Sequence, residues 1–311
     1  MALRNCLLFA VWVPPGKIHR LYDYISLFNT YLHNFDIYVG INHGTDKYVP
    51  VILKELKNVV YIGHVKPELT VDSDASAFIN IIDHLKRSEA SYNHAYFMHT
   101  KGMSYGDDPS QNFNYRKNFY QHTVNLVKSI DNISKLFALN SEIGGWCQYG
   151  GIHKGDADYE HNISVDPFPW PHTYFEPSHG YSGVLWLFTN YVIRFDILKR
   201  FIKKLPQTFF TTNIGYRYYF EFIFPLIIDL MGYIKHVEEW CPYTWRTDVG
   251  WHVREFNSRH EFMLHRWRNK MTKFVHNCAD HKIHTINSIT YCLNCGHHLH
   301  NGIWYPFDKE P

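Results

Sequence analysis

Apolar residues run without interruption through positions 7–13, where Pro14-Pro15-Gly16 stops them. A run of that length suits a strand buried on both faces. Residues 18–34 then change period, with Leu21, Tyr24, Ile25, Phe28 and Leu32 at helical spacing. A second strand follows at 35–41, closed by Asn42-His43-Gly44. The pattern continues with a short helix at 49–56 and a third strand at 59–62. A helix at 76–87 carries Phe78, Ile81, Ile82 and Leu85 on one face, and a fourth strand spans 94–98. This strand–helix alternation predicts an α/β fold, a mostly parallel sheet with helices on both faces.

Beyond Gly102 the rhythm breaks. Residues 104–114 are polar and read as a mobile loop, and 115–137 as a long helix. Residues 144–177, rich in Gly, Pro, His and aromatics, read as a loop-heavy substrate region. A strand at 184–188, a helix at 190–204 stopped by Pro206, and a helix at 217–230 interrupted by Pro225 complete the pattern. The domain expectation is one unit over 1–265, with halves 1–110 and 111–265, and a Cys/His-rich appendage over 266–311.

Composition narrows the partners. Of 311 residues, 45% are hydrophobic and 17% aromatic, which excludes a disordered chain. Lys and Arg number 31 against 29 Asp and Glu, so bulk charge does not favour nucleic acid. The apolar runs are too short for a transmembrane segment, and the amino terminus lacks a signal-peptide pattern, so the expected address is cytoplasmic. Abundant Asn, Ile, Lys and Tyr suggest an AT-rich genome of viral or bacterial origin.

The chemistry concentrates where the fourth strand ends, in His99-Thr100-Lys101-Gly102. Open α/β sheets bind ligands at the carboxyl ends of their strands. An imidazole and an ammonium there suit anionic oxygens, and so a phosphate-bearing ligand such as a sugar nucleotide.

Further motifs follow in order. Asp36 sits in the second strand, and Asp72 and Asp74 precede the third helix. Downstream come His179-Gly180-Tyr181-Ser182-Gly183 with Trp186, and then Arg217-x-x-x-Glu221. The series resembles the glycosyltransferases related to rhamnan synthesis protein F, over roughly residues 5–245. That resemblance implies a GT-A fold, with a Rossmann-type nucleotide-binding half fused to an acceptor-binding half, a nucleotide-sugar donor and a glycan or other hydroxyl acceptor. It implies donor contacts from Asp72, Asp74, His99, Thr100, Lys101 and Gly102, and acceptor contacts from His179, Ser182, Trp186 and Arg217. Glu221 is the candidate catalytic base, with Asp248 a second candidate. GT-A enzymes usually carry Asp-x-Asp where this chain has His99-Thr100-Lys101. Either these side chains neutralise the diphosphate without a divalent metal, or the metal is held elsewhere. For Asp72 and Asp74, helix capping is the competing reading.

In the last stretch, Cys278-x-x-His281 and Cys292-x-x-Cys295 have the spacing of a tetrahedral Cys₃His site for structural zinc. The rival to an enzyme is a non-catalytic carbohydrate- or protein-binding module with the same tail. A metal-dependent hydrolase is disfavoured, because no H-E-x-x-H motif precedes the tail.

Overall fold

The computed structural model describes residues 4–66, 75–108, 114–154, 182–186, 189–205, 219–230 and 233–240. In the carboxyl-terminal stretch it describes 283–286, 289–292, 298–300 and 303–305, there as backbone only. The first half follows the hydrophobic pattern: β1 (Asn5–Val11), α1 (His19–Tyr31), β2 (Phe35–Ile41), α2 (Val49–Ile52), β3 (Val59–His64), α3 (Ala75–Lys86) and β4 (His94–His99). Strands β3, β2, β1 and β4 lie side by side in that order, all parallel. The chain therefore leaves β1 toward β2 and later returns on the opposite side to form β4. This reversal is a topological switch point, and in such sheets the crevice outside the carboxyl ends of the flanking strands, here β1 and β4, is the usual ligand position.

The two sheet faces bury different helices. On one, Phe9 packs against Tyr24 and Phe28 of α1, with ring centroids 5.6 and 5.0 Å apart. On the other, Phe97 meets Phe78 of α3 at 5.3 Å. Every side chain from Ala95 to Met98 is fully buried, as a central strand covered on both faces requires. The ladder reaches one residue further than the apolar run, because Ala10 pairs with His99.

The second half differs from the sequence expectation in three places. Residues 115–137 are not one helix: a π-helical turn (Tyr115–Tyr120) leads into α4 (Gln121–Lys128) and α5 (Ile130–Leu139). The stretch read as loop from residue 144 instead opens with β5 (Ile143–Lys154), and β6 (Ser182–Trp186) pairs with it antiparallel. The predicted helix start at 190 is instead β7 (Tyr191–Arg194), inserted antiparallel between β4 and β5, with α6 (Phe195–Lys204) following directly. The last elements of this sheet are α7 (Tyr219–Leu230), which keeps Pro225 inside it, and β8 (Ile234–Trp240), parallel to β5. The described sheet thus has eight strands and is mixed in its second half.

Gly145 explains why glycine is needed in β5. A Cβ there would collide with the indole of Trp186 and with Ile228 of α7. The glycines that suggested a loop instead let a large ring and a helix approach the strand closely.

A separate antiparallel sheet contains β9 (Ile283–Ile286), β10 (Ile289–Cys292), β11 (His298–His300) and β12 (Ile303–Tyr305). Among the described residues no helix is long and apolar enough to cross a membrane.

Candidate functional site

Thr100 joins the two strands that bound the crevice. Its hydroxyl accepts a hydrogen bond from the Trp12 amide at 2.8 Å and donates one to the Trp12 carbonyl at 2.7 Å. Its own amide donates to the Ala10 carbonyl at 3.1 Å. A side chain that satisfies both polar groups of one residue across strands is a brace. Thr100, expected among the donor contacts, spends its proton on this brace.

His99 and Thr100 are buried, at 5% and 6% exposure, while Lys101 steps out toward the rim. By strand alternation His99 shares the face of Phe97, the side covered by α3 and α7. There α7 begins. Phe220 packs on Phe78 and Phe97, at 5.2 and 6.3 Å, and its carbonyl accepts a hydrogen bond from the buried Tyr191 hydroxyl at 3.1 Å. These contacts hold the first turn of α7 at the carboxyl end of β4.

The consequence is an ion pair between residues 120 positions apart. Lys101 Nζ lies 3.8 Å from Glu221 Oε1, with side-chain exposures of 21% and 8%. The helical spacing suggested a partner for Glu221 in Arg217, which lies outside the described residues. The structure gives Glu221 a cation from the motif at the sheet edge. The carboxylate also sits in the first turn of its helix, where the unpaired amides favour negative charge.

Gly102 completes the turn with φ +72°, and a Cβ there would strike the ring of Phe119. The next residues are pinned by Arg20, which the sequence did not single out. Its guanidinium donates to the carbonyls of Met103 (2.8 Å) and Tyr105 (2.7 Å) and to Asp107 Oδ2 (2.8 Å), and lies 4.1 Å over the Tyr115 ring. The first part of the expected mobile loop is therefore clamped.

The other expected site residues divide. Ser182 opens β6 opposite Lys154, which puts its backbone at the same sheet edge as Lys101. Trp186 requires a correction: it is fully buried, 4.9 Å from the Tyr191 ring and over Gly145, so its surface faces the core and not an acceptor. Asp36 lies at the opposite, amino end of β2, where it accepts a hydrogen bond from Tyr92 at 2.8 Å. Asp72, Asp74, His179, Arg217, Asp248, Cys278, His281 and Cys295 lie outside the described residues, and Cys292 ends β10.

Among the described residues no group of three or more His, Cys, Asp or Glu side chains could hold a metal ion. The groups at the end of β4 are one imidazole, one hydroxyl committed to Trp12, and one ammonium paired with the Glu221 carboxylate. The fold is that of an α/β protein whose strand order reverses beside His99, Thr100 and Lys101. No protein-family model matches the chain, and no curated protein matches it either.

Proposed function

We propose that the protein is a glycosyltransferase of GT-A type, moving a sugar from a nucleotide donor to a hydroxyl acceptor with inversion. The observation that carries the reading is the meeting of Lys101 and Glu221 at the rim of β4. One is a cation suited to a leaving diphosphate, and the other a carboxylate suited to general-base work.

The 3.8 Å separation leaves no room for a sugar ring between the two groups, so the pair must open on donor binding. The diphosphate replaces the carboxylate as the partner of Lys101, with His99 beside it as a second donor. Glu221, released, accepts the proton of the acceptor hydroxyl as that oxygen attacks the anomeric carbon. The bond from the anomeric carbon to the phosphate oxygen breaks, and the nucleoside diphosphate leaves with the electron pair. Because the charge neutralising it is already in position, no reorganisation is needed at that moment. In the carboxyl-terminal stretch, structural zinc on Cys278, His281, Cys292 and Cys295 would staple a sheet of three- and four-residue strands.

The test is a panel of sugar nucleotides scored for slow release of nucleoside diphosphate. Release from one donor, with Lys101→Ala and Glu221→Ala each lowering it at least a hundredfold, is the expected result. No thermal shift with any nucleotide or sugar nucleotide would favour the non-catalytic carbohydrate- or protein-binding module. Strict dependence on manganese would overturn the role given to Lys101 and His99.

A further inference from the structure

Arg20 is placed where a cation is least expected. It is 1% exposed, and it lies in the first turn of α1, the positive end of the helix dipole, with no acidic residue in that turn. A buried guanidinium in such a position is costly unless its donors are matched. Here the two terminal nitrogens are matched by two carbonyls and one carboxylate of the segment 103–107, with Tyr115 stacked beneath, while Nε is buried without a partner among the described residues. That segment starts two residues beyond Lys101. Its backbone folds back through Tyr105 N–H to Gly102 O at 2.9 Å, so carbonyl positions at 103 and 105 fix the turn that carries the ammonium.

Resting on the donor-site reading above, we propose that Arg20 is a positioning residue that sets the reach of Lys101 into the crevice. A planar fork spans both carbonyls and the carboxylate at once. Lysine supplies a single point of charge and leaves carbonyls unmatched. Asp107 is held inward by the same fork and completes the clamp from the exposed side, at 45% side-chain exposure.

Inorganic pyrophosphate is the probe, because it reports the grip on the anionic part of a donor without base or sugar. Calorimetric titration of the full chain should show binding that Lys101→Ala abolishes. Arg20→Lys should weaken it about tenfold, the effect of losing matched hydrogen bonds to charged groups. The same Arg20→Lys change in a Glu221→Gln background, where Lys101 has lost its carboxylate partner, should still weaken binding. Asp107→Ala, a change at a half-exposed side chain that leaves the core intact, should weaken it about threefold. Amide exchange at 100–107 should quicken in both variants. Unchanged pyrophosphate affinity in Arg20→Lys and Asp107→Ala, with wild type binding and Lys101→Ala not, would overturn this inference alone. Absence of binding by the wild type would remove the donor-site reading and this inference with it.

Discussion

At the scale of single residues, the site depends on conformations that few side chains allow. Gly102 holds φ +72° with Phe119 against its α-carbon. Gly102→Ala should cost about 1–3 kcal/mol, from backbone strain and displacement of the ring. Chemical denaturation would show that loss, and the displaced turn should also weaken nucleotide binding. Two buried histidines contribute to acid stability. Burial holds His94 and His122 down to about 4, with the Arg194 charge adding to the effect at His94. Both are neutral in the folded protein, whereas in the unfolded chain they bind protons from about pH 6.5. Stability should therefore be fully present above pH 6.5 and fall as pH drops toward 4, by up to about 3 kcal/mol for each residue. Melting temperatures over this range should decline less steeply in His94→Gln combined with His122→Gln. Equal slopes in the variant and the wild type would refute the assignment.

At the scale of elements, two arginines perform similar work at opposite ends of the sheet. Arg194, at the end of β7, donates to the carbonyls of Ile143 (2.6 Å), Phe137 (3.1 Å) and Asn140 (3.1 Å), thereby closing α5 and starting β5. Its pairing with His94 puts it at the amino end of β4, remote from Lys101. Arg194→Lys should lower stability by about 1–3 kcal/mol, since buried carbonyls lose their donors, while pyrophosphate affinity stays unchanged. Calorimetry on this variant separates a stabilising clamp from the positioning role of Arg20. The same elements show how far the sequence could be read. The first four strands were legible because their apolar runs and the helical spacing of α1 and α3 do not overlap. Residues 191–194 were not, since this four-residue strand merges with Phe195, Ile197 and Leu198 into one helix-like pattern. The glycines of β5 resembled a loop until Trp186 and Ile228 are seen against them. Lys101 and Glu221 each stood out as chemistry, yet their meeting depends on how α7 lands on Phe97, which no local pattern encodes. Arg20 passed unnoticed because its partners lie 83 to 87 residues away.

At the scale of the whole molecule, the chain builds hydrogen-bonded sheets of unequal self-sufficiency. The eight-stranded sheet buries one aromatic-rich cluster on each face, including Phe9 and Phe28 on one side and Phe78 and Phe97 on the other. Among the described residues the second sheet has four strands of three or four residues, paired with one another. Strands this short bury little area, and small units of that kind generally need a covalent or metal staple. Cysteine and histidine spacing around β10 offers one. A tetrahedral site on Cys278, His281, Cys292 and Cys295 would supply four protein ligands and leave no open position for substrate. Metal analysis of the purified chain should then find one zinc per molecule. Cys292→Ser should release it and open the tail to proteolysis, without changing pyrophosphate affinity, because Lys101 and Glu221 both belong to the larger sheet and its helices. Zinc release that abolished pyrophosphate binding would instead mean that the tail supports the crevice. A metal-free chain with a protease-resistant tail would mean that apolar packing suffices to hold the small sheet.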